Sequence, residues 1–123
     1  NPWIYRAPAI GWGFIIFYLC LAPVEEIDPG FSIEISDKLV HFILYFSWVV
    51  LLYFGSSRGY KRRLTRRKML IYWITAAIIG GAVEFLQGAM DFGRNADVMD
   101  GLANTAGAMI GIISSRLFHK ILE

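Results

Sequence analysis

A single cysteine, Cys20, stands among the 123 residues of the chain. An intrachain disulfide is therefore excluded, and so is a zinc site built from several thiolates. Charge is scarce as well. Only 18% of residues are charged and 56% are hydrophobic, outside the usual balance of a soluble domain. Acidic residues are missing altogether between Ser56 and Lys68, a stretch that holds seven basic ones. Nucleic-acid binding would need a basic stripe beside stacking aromatics on a soluble scaffold. Here the basic run is a short loop between two apolar segments, and a nucleic-acid partner is set aside.

What the chain does have is four apolar runs, at about residues 4–22, 39–55, 69–90 and 101–118. At ~1.5 Å per residue each is roughly 25–33 Å long as a helix, close to a hydrocarbon core of ~30 Å. None has a polar stripe along its full length, as a helix lying on a membrane surface would. Pro23 ends the first run, and no small-residue cleavage site follows it, which argues against a signal peptide. The chain begins at Asn1 rather than Met, so native residues are expected upstream.

The ionisable residues sort by sign between the two ends of these runs. Arg6, the cluster from Arg58 to Lys68, Arg116 and Lys120 lie at one end. Glu25, Glu26, Asp28, Glu34, Asp37, Glu84, Asp91, Asp97 and Asp100 lie at the other, with Lys38 and Arg94 as the basic exceptions. Lys and Arg are held on the cytoplasmic side during insertion. The expected fold is thus an all-α membrane protein, one domain over 1–123. It is a bundle of four transmembrane helices with both termini and the basic loop cytoplasmic and the acidic end facing outward. Trp3, Tyr5, Tyr53 and Tyr72 are expected at the inner interface. Phe31–Ile35 alternates in polarity and reads as a short strand or an interfacial stretch.

A strongly polar side chain inside a span costs roughly 2.5–3.5 kcal/mol, so each one asks for a reason. Glu84 falls some 20 Å along the third run, in its outer third. His41 and Asn104 lie about one turn into the second and fourth runs from the same side. Lys38, His41 and Tyr45 share a helix face, as do Glu84 and Gln87. Asp97, Asp100, Asn104, Gly107 and Gly111 repeat at three and four residues and form one stripe. Its outer part is polar. Its inner part, Gly107 to Gly111, is a small-xxx-small contact that brings the fourth helix close to a neighbour. Gly80, one turn from Glu84, offers the third helix a similar approach. Asp97 also suits the N-cap of the fourth helix, and Asp100 its first turn.

The run Asp37-Lys38-Leu-Val-His41-Phe42-Ile-Leu-Tyr45-Phe46 resembles the second-span signature of VanZ-like membrane proteins. Glu84-Phe-Leu-Gln87, with Arg94, Asp97, Asp100, Asn104, Gly107 and Gly111, resembles their third-span and fourth-span signature. The two motifs and the four-run layout cover nearly the whole chain. The resemblance implies a multi-pass protein of the bacterial plasma membrane. It also implies an association with low-level resistance to the glycopeptide teicoplanin, separate from enzymes that remodel peptidoglycan precursors.

The function expected from these residues is an outward-facing polar pocket for the headgroup of an amphiphile or membrane lipid. Lys38, His41 and Arg94 would meet phosphate or hydroxyl groups, with Glu84, Gln87, Asp97, Asp100 and Asn104 orienting them. No cofactor is called for. A hydrolase or transferase acting on a lipid-linked phosphate or sugar is the competing expectation, with His41 as base or nucleophile and Glu84 or Asp100 orienting it. In that case a divalent metal held by His41 and the carboxylates is a variant, although a site without metal is the leading expectation. A small proton-coupled transporter built around Glu84 is a third alternative. A structural partner of an envelope enzyme, or an oligomer joined through the glycine faces, is a fourth.

Overall fold

The computed structural model describes the backbone of residues 1–21, 34–90 and 98–123, and the side chains of 1–21, 38–89 and 98–123. Four helices make up these segments: α1 (Trp3–Leu21), α2 (Glu34–Ser56), α3 (Arg66–Met90) and α4 (Val98–Leu122). No strand occurs among the described residues. The alternating stretch near residue 31 is helical from Glu34 onward, so a strand is excluded over its last two residues; positions 31–33 lie outside the described residues. The rest of the acidic segment that follows α1, and the segment 91–97, lie outside them too.

Local chemistry sets the helix ends. Asn1 caps α1, its Oδ1 accepting from the Trp3 amide at 3.1 Å, with Pro2 beside it where its missing N–H costs nothing. Thr65 caps α3, its Oγ1 accepting from the Lys68 amide at 3.2 Å. α2 ends in a Schellman arrangement. The Gly59 amide donates to the Phe54 carbonyl at 2.9 Å and the Arg58 amide to the Gly55 carbonyl at 3.3 Å, with Arg58 at φ 54°.

Three helices, Trp3–Leu21, Lys38–Ser56 and Arg66–Ala89, are long and apolar enough to cross a membrane. The fourth matches them in length but not in hydropathy, because its interior stripe is polar or small. Asp100, Asn104, Gly107, Ala108, Gly111, Ser115 and His119 are its buried residues. Large apolar side chains point outward instead, among them Phe14, Ile78, Phe85, Leu102 and Ile121. Beside a buried apolar core that includes Ile16, Leu44, Val49 and Val83, this polar and small stripe under an apolar exterior suits a lipid solvent.

Cross-helix contacts fix the topology. α2 and α4 form the central pair, α1 flanks α2, and α3 flanks α4. His41 meets Asn104 near the start of both central helices, and Tyr53 meets His119 near their ends, so α2 and α4 run parallel. Trp12 Nε1 donates to the Leu44 carbonyl at 3.0 Å and Trp48 Nε1 to that of Ala9 at 3.1 Å, which ties α1 antiparallel to α2. Trp73 Nε1 donates to the Thr105 carbonyl at 3.1 Å and ties α3 to α4. An up-down-up-down order results. The basic loop and the polar residues of the second, third and fourth runs therefore lie at opposite ends.

Tyr53 departs from expectation. It is buried, bonded to His119 Nδ1 at 2.9 Å and packed against Tyr60, rather than anchored at an interface. The same end is closed by Arg63, whose guanidinium bridges both carboxylate oxygens of Glu123.

Candidate functional site

Two facing stripes build the site. On α2 the buried residues His41, Tyr45, Val49 and Tyr53 recur every fourth position. On α4 the stripe from Asp100 to His119 runs alongside. Their backbones approach because Gly107 and Gly111 lack a Cβ. One added there would come within 2.3 Å of the Phe42 carbonyl oxygen and 2.8 Å of the Phe46 oxygen. At the acidic end this close contact sets His41 directly against α4.

His41 Nδ1 lies 3.1 Å from Asn104 Oδ1. With the amide oxygen facing it, Nδ1 is the ring nitrogen that pairs with Asn104. Nε2 then faces Asp100 Oδ2 at 3.5 Å. The other oxygen of Asp100 lies 3.7 Å from Lys38 Nζ, whose side chain is partly exposed. Asp100 thus stands between two groups of α2, one on each oxygen. Asn104 is fully buried and packs against Gly80 of α3, where a Cβ would sit 3.2 Å from it.

Glu84 completes the cluster from α3. It is buried to 6% exposure, and its carboxylate comes within 4.8 Å of ligand atoms of both His41 and Asp100. Glu84 also lines a groove of about 340 Å³ between α3 and α4. Ala77 and Gly81 form one wall with it; Val98, Gly101, Leu102 and Thr105 form the other. One carboxylate is therefore shared between a buried polar niche and an apolar groove. Chemically, the arrangement offers a cation on Lys38, acceptors on Glu84 and Asp100, and an imidazole oriented by an amide.

Lys38, His41, Glu84, Asp100 and Asn104 are brought together as the spacing suggested. Gln87 is not. It is buried one turn from Glu84 but donates through Nε2 to the Cys20 carbonyl of α1. Arg94 and Asp97 lie outside the described residues. Sequence reading missed the groove, whose walls are small and apolar, and the Tyr53–His119 pair. His119 was within reach of it, being the continuation of the stripe two further turns past Gly111 through Ser115.

A family model described as VanZ/LLP1 matches residues 6–119, which includes every residue of this cluster. The chain belongs to the VanZ/LLP1 family. Among curated proteins it is 30% identical over 108 residues to an uncharacterized protein of the fission yeast Schizosaccharomyces pombe. That alignment covers 85% of this chain and 62% of the yeast protein, so the chain spans less than two thirds of that relative's length. No solved structure matches significantly. The resemblance read from Asp37–Phe46 and Glu84–Gly111 is thus a family membership, and similarity to this chain extends to a yeast protein.

Proposed function

We propose that this VanZ/LLP1 protein is an integral membrane protein that holds a single amphiphile at the acidic end of its bundle. The apolar part lies in the α3/α4 groove against Ala77, Gly81 and Leu102. Its headgroup meets Glu84, Asp100 and Lys38 at the groove's head. The observation that carries this reading is the double membership of Glu84, in the niche and in the groove wall. An apolar slot ending in a few placed polar groups is the usual form of a ligand site. Arg94, assigned from sequence alone, adds a second cation for a phosphate.

In this reading α4 spans the membrane with the other three helices, the loop 57–65 faces the cytoplasm and the niche faces outward. A multi-pass place in the plasma membrane follows. Glycopeptide tolerance then becomes one consequence of holding an envelope amphiphile rather than the family's common task. A relative in a fission yeast favours the broader role.

The test is lipid retention. The chain would be released from nanodiscs of mixed phosphatidylethanolamine and phosphatidylglycerol and weighed by native mass spectrometry. Gly81→Leu projects a side chain into the groove from an open position, since nothing lies within 4 Å of a Cβ at Gly81. One retained lipid on the unaltered chain, lost in Gly81→Leu with helix content kept, is expected. Equal lipid on both would sink the proposal.

A further inference from the structure

Three metal-ligating side chains, each from a different helix, meet in the niche, and one of them, Glu84, also lines the groove. His41, Glu84 and Asp100 each offer one ligand atom, and these atoms all lie within 4.8 Å of one another. All three residues are buried. We propose that this triad binds one divalent transition-metal ion of the zinc or manganese kind, with a coordination position left open toward the groove. The inference departs from the expectation of a site without metal. It stands apart from the amphiphile reading, because it needs only the triad.

The ligand set is the first argument. One imidazole and two carboxylates make three protein ligands, the number typical of a site that keeps an exchangeable fourth position. Imidazole suits zinc and iron, while carboxylates suit manganese, so alkali and large alkaline-earth ions fit less well. Spacing is the second. Bonds of about 2.0–2.2 Å put adjacent ligand atoms about 3–3.5 Å apart. His41 Nε2 and Asp100 Oδ2, at 3.5 Å, are separated by that amount and lie beyond the usual N–H···O range, while the whole triad falls within 4.8 Å and would draw in on binding.

Orientation of the ligands is the third and independent argument. A metal-bound histidine donates its other ring N–H to a carbonyl or carboxylate, which fixes the tautomer. Nδ1 of His41 lies 3.1 Å from Asn104 Oδ1, placed for such a bond, and Nε2 faces Asp100. Asp100 has a cation near its other oxygen, Lys38 Nζ standing 3.7 Å from Oδ1. Glu84 on the groove wall supplies a way in.

The experiment uses the full chain, free of affinity tags, in detergent without added lipid. It is stripped with chelator and titrated with Zn²⁺, then with Co²⁺ for its visible spectrum. Binding of one ion per chain is expected. His41→Ala, Glu84→Gln and Asp100→Asn should each weaken it by more than about 100-fold, and Asn104→Ala by about 10–100-fold. His119→Ala, at the far end of the bundle, should leave it unchanged. No binding to the unaltered chain overturns the proposal, as does binding kept by both Glu84→Gln and Asp100→Asn or lost in His119→Ala. Should a variant misfold, X-ray absorption on the zinc-loaded unaltered chain decides. One imidazole with only nitrogen and oxygen neighbours supports the triad, and a sulfur neighbour or several imidazoles excludes it.

Discussion

Gly107 of α4 lies under the carbonyl oxygen of Phe42 on α2, so close that a Cβ there would stand 2.3 Å away. Backbone cannot yield as the tip of a side chain can. Gly107→Ala should therefore force the central pair apart and cost about 1–3 kcal/mol, with Gly111→Ala somewhat milder. Gly81→Ala, in open space, should change stability by no more than about 0.5 kcal/mol. Unfolding in mixed micelles measures all three. A Gly107→Ala chain as stable as the unaltered one would mean that the close approach is absent.

Orientation is open to labelling. With Cys20→Ser as background, a single cysteine in place of Arg62 should resist a membrane-impermeant maleimide on intact cells and react after permeabilisation. The ground for this expectation is the seven basic residues between Ser56 and Lys68, which the positive-inside rule puts on the cytoplasmic side. Reaction on intact cells would reverse the assignment and turn the polar niche to the cytoplasm.

The basic end responds to acid in a predictable direction. Hydrogen bonding to the Arg63 guanidinium holds the Glu123 carboxyl below the ordinary glutamate range. A folded-state pKa below the unfolded value contributes stability above the unfolded pKa, and that contribution is lost as pH falls through the folded pKa. Glu123→Gln should thus lower the melting midpoint slightly at neutral pH and have no effect in strong acid. Both groups are exposed, so the difference should also shrink in high salt. A midpoint gap that widens on acidification would contradict the sign.

The polar niche was legible in the sequence because membranes make polarity conspicuous. A carboxylate within an apolar run, as at Glu84, has few explanations. The three- and four-residue spacing of Asp100, Asn104, Gly107 and Gly111 gave both the inward face of α4 and its close contact. Gln87 could not be placed the same way. It shares a turn with Glu84, yet its partner is a main-chain carbonyl at Cys20, and carbonyls have no signature. Tyr53 was misplaced because an aromatic near a helix end serves an interface belt and a buried pair equally well in composition. Position every fourth residue after His41, Tyr45 and Val49 was the signal that decides for the pair. At Glu34 the strand-like alternation of Phe31–Ile35 gave way to helix, because the continuous apolar run behind it carries the helix back to Glu34.

A double-mutant cycle between His41 and Asn104 tests most directly whether the central helices share one polar niche. Single replacements by alanine and the pair would be compared by unfolding in the same micelles. Their contact at 3.1 Å predicts a coupling of about 0.5–1.7 kcal/mol, the range of interhelical hydrogen bonds in membranes. Additive losses, with no coupling, would show that the two side chains do not meet.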